Sequence, residues 1–144
     1  MEEAIVRVEH LSHRYSVDWA IRDINLEVKS KGVFGLLGSN GAGKSTTMNI
    51  ICGVLNQTEG NVWINNINLR ENPVEAKKFI GFLPQRPPLY PDMTVEEYLT
   101  YCANLRLMEP MEIGKAVERA MARCGVTHLS LIHISEPTRL GMIS

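Results

Sequence analysis

The nine residues "GSNGAGKST", Gly38 to Thr46, decide the fold of this chain. They match the pattern G-x-x-x-x-G-K-[ST], in which a loop surrounds phosphate groups with backbone N–H groups. Glycines are needed there because a Cβ atom would block both the tight turns and the close approach of a phosphate. A helix that starts at this loop adds free N–H groups and the positive end of its dipole. The stretch therefore predicts a phosphate-binding loop, and a glycine-rich turn without a ligand is the alternative.

Two side chains of the motif indicate a nucleotide with bound Mg²⁺. Lys44 can reach β- and γ-phosphates as a point charge, and the Ser45 hydroxyl is placed to ligate Mg²⁺. We therefore interpret Lys44 as a catalytic residue and Ser45 as a metal ligand.

The residues around the loop predict strands before it and a helix after it. Alternating apolar and polar residues over 4–31 are typical of an antiparallel hairpin or layer. The apolar run "GVFGLLG", residues 32–38, predicts a buried strand that leads into the loop. The stretch "STTMNIICGVL", residues 45–55, then predicts a helix that tolerates Gly53 and buries a stripe that includes Met48.

Two more strands and two helices are predicted after this unit. Val62 and Ile64 alternate as in a strand, and "KFIGFLPQ", residues 78–85, has the pattern of another buried strand. Thr94 and Glu97 form a capping box before an apolar stripe, which predicts a helix. A further helix is expected from about Pro110 to Cys124, with Gly125 at its end. The fold class is therefore α/β.

Composition and charge argue against several classes of partner. The 144 residues carry a formal net charge of -1, which gives no electrostatic reason to expect nucleic acid or an anionic membrane surface as a partner. Neither a signal peptide nor an apolar run long enough for a membrane span is present. Cys52, Cys102 and Cys124 lack C-x-x-C spacing, so we expect buried thiols in the reducing cytoplasm.

The chain resembles a known family in "LLGSNGAGKSTTMNIICGVL" and "GFLPQRPPLYPDMTVEEYL". These stretches are similar to the first half of an ATP-binding-cassette domain, the ATPase subunit of ABC transporters, over about residues 4–128. The pattern "LPQ…LYPDMTVEEYL" is most similar to export-type systems, including multidrug and related ABC-2 exporters. The resemblance implies a truncated P-loop NTPase of ABC type, with an N-terminal antiparallel β layer, a P-loop core and the start of a helical subdomain.

The same resemblance implies ligands, partners and location. ATP and Mg²⁺ would bind, and ATP hydrolysis would drive export through a membrane-embedded transporter subunit. Two ATPase subunits would form a homodimer or heterodimer on the cytoplasmic face of the membrane. A non-transport ABC protein, such as a ribosome-bound translation factor, is the alternative function. A GTPase is disfavoured because no N-K-x-D motif occurs.

Residue roles follow from the matching positions. Tyr15, in "LSHRYSV", matches the aromatic that stacks on adenine, although a core tyrosine has the same sequence pattern. Gln85 matches the glutamine that approaches Mg²⁺ and the attacking water, so it is assigned to catalysis and to the metal; an amide can do both without carrying charge. The nucleotide-binding set is Tyr15, Gly38, Asn40, Gly41, Ala42, Gly43, Lys44, Ser45 and Thr46.

Other features have weaker interpretations. His10 and His13 resemble a ligand pair only superficially, because no third ligand lies nearby in the sequence. The loop "RPPLYP", residues 86–91, is a surface loop that in this family faces the membrane subunit, so a partner contact stays open.

The catalytic second half of the family pattern is not encoded. Its Walker B strand ends in Asp and Glu, but the aspartates here are Asp18, Asp23 and Asp92, and none follows a buried strand. The LSGGQ-type signature and the downstream histidine are also missing. The ending "LSLIHISEPTRLGMIS" resembles a translated sequencing-library adapter. We therefore expect residues 1–128 to form a partial ABC domain and 129–144 to be a non-native tail, an authentic divergent tail being the alternative.

Overall fold

The computed structural model describes residues 3–129. The chain divides into two compact units, Met1–Leu83 and Pro84–Ser144, which are described separately below. Residues 130–144 lie outside the described residues, so the hypothesis of a non-native tail remains a prediction. No helix within residues 3–129 has both the length and the apolar character that crossing a bilayer would require.

A four-stranded antiparallel sheet forms most of the first unit. β1 (Val6–Arg14) and β2 (Trp19–Val28) form a hairpin, as the alternation of residues 4–31 predicts. β3 (Glu59–Ile64) pairs with the other edge of β1 and confirms the strand expected around Val62. β4 (Ile67–Asn68) follows it, which gives the order β2-β1-β3-β4.

The hairpin is distorted where two side chains of opposite strands meet. His10 in β1 and Asp23 in β2 both have a positive φ, 50° and 51°, and the register shifts beside each of them. The Nδ1 atom of His10 lies 2.7 Å from Oδ1 of Asp23. Hydrogen bonds from His10 and then from Asn25 lower the pKa of the Asp23 carboxyl. His10 is therefore engaged with Asp23 at a bulge in the hairpin.

Helix α1 (Lys44–Ile51) follows the loop but ends sooner than the sequence predicts. Gly53 does not lie within the helix: its φ is 74°, and its N–H donates to the carbonyl of Ile50 at 3.0 Å, as at a helix end. Ile50 is fully buried, whereas Met48, which we placed on the buried stripe, is 43% exposed. The prediction of a longer helix with Met48 inward is therefore wrong.

The two predicted buried strands, "GVFGLLG" and "KFIGFLPQ", are absent from the structure. Residues 33–39 and 80–84 have no regular secondary structure, and Leu37 and Leu83 are 93% and 81% exposed. An apolar run is buried on both faces as a strand only when neighbouring strands and covering helices enclose it. None of the four described strands pairs with either segment, so both predictions fail.

The core of the first unit lies between the sheet, α1 and the segment after β4. A short helix, α2 (Pro73–Lys77), adds to it; this helix was not predicted. The buried apolar residues of this cluster are Val8, Leu11, Ile21, Ile50, Val62, Ile64, Leu69 and Ala76.

The second unit contains the two predicted helices. α3 (Val95–Leu105) begins at the capping box: the Glu97 N–H donates to Thr94 Oγ1 at 3.2 Å, and the Thr94 N–H donates to Glu97 Oε2 at 2.8 Å. α4 (Pro110–Cys124) ends at Gly125, whose φ is 67°. A 3₁₀ turn covers Thr127–Leu129. The buried cluster of this unit is Ala103, Ile113, Val117 and Met121.

The cysteines differ in burial. Cys52 and Cys102 are half-buried and free, and burial raises the pKa of the Cys52 thiol. Cys124 is free and exposed. The expectation that all three thiols are buried is therefore wrong for Cys124.

Candidate functional site

The glycine-rich loop turns into α1 through two residues of left-handed backbone. Gly41 and Gly43 have φ values of 83° and 90°, and the Ala42 N–H between them donates to the Ser39 carbonyl at 3.1 Å. Gly43 is the residue that caps α1, and as a glycine it has no side chain to accept a hydrogen bond from the first turn. That turn also carries no acidic residue. Its N–H groups and the positive end of the helix dipole are therefore available to an anion.

The start of α1 is fixed against β2. A Cβ atom at Gly43 would collide with the Ile21 side chain and would lie 2.8 Å from the Ala20 carbonyl oxygen. Only glycine fits this approach, because the position combines a positive φ with a close backbone neighbour. β2 therefore positions the helix N-terminus, and with it the phosphate-binding loop.

A pocket of about 330 Å³ opens at this helix N-terminus. That volume lies within the range of about 300–1,000 Å³ that is typical of small-molecule sites. The pocket is lined by Ala20, Ser39, Asn40, Gly41, Gly43, Lys44, Ser45 and Thr46. Six of these belong to the predicted nucleotide-binding set. Ala20 was missed because alternation within a strand does not show which residue meets a distant loop, and Ser39 because the motif allows any residue there.

Lys44 is held by the loop itself. Its Nζ donates to the carbonyl oxygens of Gly38 and Ser39, the latter at 3.0 Å. The ammonium group thus lies against the loop, and Lys44 lines the pocket. A Cβ at Gly38 would meet Ala42 Cβ only at an ordinary 3.4 Å. Gly38 and Ala42 flank the pocket without lining it. Gly38 contributes its carbonyl group, which accepts a hydrogen bond from Lys44 Nζ.

The hydroxyl groups after Lys44 have different surroundings. Ser45 is exposed and lines the pocket, whereas Thr46 and Thr47 are buried. Thr47 Oγ1 donates to the Gly43 carbonyl at 2.9 Å. No group of three or more His, Cys, Asp and Glu side chains that could hold a metal ion occurs in residues 3–129. Ser45 Oγ as a single protein ligand suits Mg²⁺, which keeps several waters and binds phosphate oxygens.

Tyr15 stands beside the loop at the end of β1. Its hydroxyl lies 3.2 Å from Thr46 Oγ1, and its side chain is 66% exposed. The ring is therefore not part of the apolar core of the first unit. Its role towards adenine stays a prediction.

Gln85 belongs to the second unit, whereas the pocket is formed by residues of the first. Its side chain is exposed and follows the segment that was expected to be a strand. The role of Gln85 in catalysis and Mg²⁺ binding stays a prediction. The loop "RPPLYP" also lies in the second unit, where an edge-on contact joins Tyr90 to Tyr101, with ring centroids 5.6 Å apart.

A glycine-rich loop that leads into a helix N-terminus, with a lysine over the loop and a hydroxyl in the pocket, defines a P-loop nucleotide-binding protein. The sequence model of the ABC transporter family matches residues 21–142 of this chain. This chain belongs to the ABC transporter family, as the sequence resemblance predicts.

Curated relatives and a solved structure agree with this assignment. The chain is 33% identical to the molybdate/tungstate import ATP-binding protein WtpC of Pyrococcus abyssi, over 87% of this chain and 36% of that protein. It is 30% identical to the probable multidrug ABC transporter ATP-binding protein YbhF of Escherichia coli, over 96% of this chain and 24% of that protein. The structure of cbiO1 from Clostridium perfringens, part of the ABC transporter complex cbiONQ, superposes with a TM-score of 0.75 at 30% identity, over 92% of this chain and 55% of that chain.

The chain therefore spans between about a quarter and just over half of the length of these three proteins. The family match and the alignment with YbhF both extend beyond residue 128.

Proposed function

We propose that this chain binds ATP together with Mg²⁺ at the pocket of α1, as the ATP-binding part of an ABC exporter. The observation that carries the proposal is the free helix N-terminus, which Gly43 holds against β2 and over which Lys44 extends. These groups are N–H donors and a cation directed at one small pocket, which is the chemistry that a polyphosphate chain needs.

Different residues would bind the phosphates, Mg²⁺, the adenine base and the attacking water. The N–H groups from Asn40 to Thr46 would hold the β- and γ-phosphates, and Lys44 would neutralise their charge. The Ser45 hydroxyl would ligate Mg²⁺, which when bound draws charge from the phosphate oxygens. Tyr15 would stack on adenine, and Gln85 would orient the attacking water and approach the ion.

Export and the partners rest on the sequence pattern rather than on the pocket. The stretch "LPQ…LYPDMTVEEYL" is most similar to export-type cassettes, and YbhF carries a multidrug name, whereas WtpC carries an import name. We infer that the parent subunit pairs with a second ATPase subunit. The pair would bind a membrane-embedded subunit on the cytoplasmic side of the membrane.

Hydrolysis would require residues that this chain does not supply. Among its three aspartates, Asp23 is engaged with His10, and neither Asp18 nor Asp92 follows a buried strand. We therefore propose that the chain of 144 residues binds ATP without hydrolysing it, and that the intact parent is the ATPase.

Calorimetric titration with Mg–ATP tests the binding proposal. We expect saturable binding to the 144-residue chain, competed by Mg–ADP and lost in Lys44→Ala. Equal heats from the chain and from Lys44→Ala would contradict it.

The DNA sequence around the gene for this chain tests the transport proposal. Sequencing past Thr127 should reveal a frame that continues the cassette and an adjacent membrane-protein frame, and the two products should copurify with ATPase activity. A second cassette in the same frame, with no membrane protein beside it, would favour the non-transport function.

A further inference from the structure

A buried histidine packs against the ring of Tyr15, the residue whose hydroxyl pairs with Thr46 of the pocket. His13, the penultimate residue of β1, is only 8% exposed, and its ring contacts the Tyr15 ring in a T-shaped arrangement. The ring centroids are 4.7 Å apart and the interplanar angle is 86°. One edge therefore meets one face, which is a favoured geometry for aromatic pairs.

One hydroxyl group pairs with the Nδ1 atom of His13. The Arg14 N–H donates to Thr58 Oγ1 at 3.2 Å, and the same hydroxyl lies 3.4 Å from His13 Nδ1. The hydroxyl can donate its own proton to Nδ1 or accept one from it, so Nδ1 has a partner in either tautomer of the ring.

The Nε2 atom is the unusual feature of this site. It is buried and has no hydrogen-bond partner within residues 3–129. A buried polar group without a partner costs free energy, and its presence calls for an explanation. The T-shaped contact brings the Tyr15 ring to His13, and the π face of an aromatic ring is a weak acceptor for an N–H group when Nε2 carries the proton.

The Tyr15 ring is also held at its other end. Its hydroxyl pairs with Thr46 Oγ1 at 3.2 Å, in the first turn of α1. His13 at the ring and Thr46 at the hydroxyl thus fix both the plane and the direction of a side chain that is otherwise 66% exposed.

We propose that His13 is a positioning residue for nucleotide binding, which holds the Tyr15 ring in the plane that an adenine base stacks on. The inference rests on the proposed function, because it requires Tyr15 to meet the base. His13 does not touch the nucleotide. It raises affinity for the base by ordering Tyr15 before binding, so that less side-chain freedom is lost when the base stacks.

Two ligands separate this role from a general role in folding. Mg–ATP offers phosphates and a base, whereas Mg–tripolyphosphate offers phosphates alone. Calorimetric titration of the 144-residue chain should show that His13→Leu weakens Mg–ATP binding by about 2- to 10-fold, the size of one aromatic pair contact. Tripolyphosphate affinity should stay within about 2-fold, because the loop and Lys44 are unchanged.

Further variants keep the test decisive. His13→Phe retains an aromatic ring beside Tyr15 and should restore most of the ATP affinity. Ser12→Ala removes a neighbouring buried hydroxyl of β1, which accepts from the Asp23 N–H at 2.9 Å, and should change neither affinity. Thermal unfolding of each variant identifies the temperature at which it is folded and titrated.

Three outcomes would overturn the inference: unchanged ATP affinity in His13→Leu, an equal loss for both ligands, or no recovery in His13→Phe. Failure of the proposed function looks different. In that case Tyr15→Ala would bind the two ligands as the unmodified chain does, or Lys44→Ala would retain tripolyphosphate binding.

Discussion

Gly43 lies so close to Ala20 that a Cβ atom on the glycine would be 2.8 Å from the alanine carbonyl oxygen. This contact joins the cap of α1 to β2, so the phosphate-binding loop depends on a hairpin that is distant from it in the sequence. The motif alone explains Gly43 by its backbone conformation. The structure adds a steric reason.

Gly43→Ala should therefore be more harmful than Gly41→Ala. Both residues have a positive φ, and alanine in that region costs about 1–2 kcal/mol. Only at Gly43 does the new methyl group also meet Ile21 and Ala20; at Gly41 nothing lies within 4 Å. We expect an additional loss of about 1–3 kcal/mol in the free energy of unfolding for Gly43→Ala, as for overpacked sites. Urea unfolding of both variants measures the difference, and equal losses would show that only φ matters.

Lys44→Ala should weaken Mg–ATP binding by about 10-fold or more, because a hydrogen bond to a charged group contributes roughly 1.5–3 kcal/mol. In the intact parent subunit the same change should lower turnover by more than about 10²-fold. Lys78→Ala is the charge-matched control, since Lys78, the residue that follows α2, is paired with Glu75 of that helix at 2.9 Å. Near-normal turnover of the Lys44 variant would refute the assignment of the site.

Tyr15→Ala should reduce ATP affinity by about 1–3 kcal/mol, the usual contribution of a base stacked on an aromatic side chain. Tyr15→Trp should be tolerated because it keeps a stacking face. Tyr15→Phe keeps the ring and removes only the contact with Thr46 Oγ1, so its loss should be smaller than that of alanine. If the alanine variant binds ATP as the unmodified chain does, Tyr15 has no role towards the base.

The capping box of α3 allows a matched comparison of two acidic residues. Glu96 and Glu97 both lie in the first turn, where a carboxylate favours the helix dipole, but only Glu97 accepts from the Thr94 N–H. Glu97→Ala should lower the free energy of unfolding by about 0.5–1 kcal/mol more than Glu96→Ala, the difference being one hydrogen bond. Equal effects in denaturant unfolding would show that the box adds nothing beyond charge.

Features that depend on residues close in sequence were predicted correctly. The capping box at Thr94, the end of α4 at Gly125 and the hairpin of β1 and β2 all follow from short-range patterns. The prediction of buried strands at 32–38 and 78–85 was wrong, because an apolar run does not show which strands and helices will enclose it.

For the candidate site, too, the sequence indicated only the features that depend on neighbouring residues. The loop residues and their common pocket follow from the motif. The packing of Ala20 against Gly43 and of His13 against Tyr15 does not, because contacts between distant segments leave no periodic signal in the sequence.

The 144-residue chain should bind Mg–ATP without hydrolysing it. A phosphate-binding loop stabilises bound phosphates. Transfer of the γ-phosphoryl group to water also needs a group that positions the water and carboxylates that hold Mg²⁺. We therefore expect no phosphate release above the background of Lys44→Ala, although Mg–ATP binds. Release that is robust in the chain and absent from Lys44→Ala would show that the chain contains the groups that hydrolysis needs.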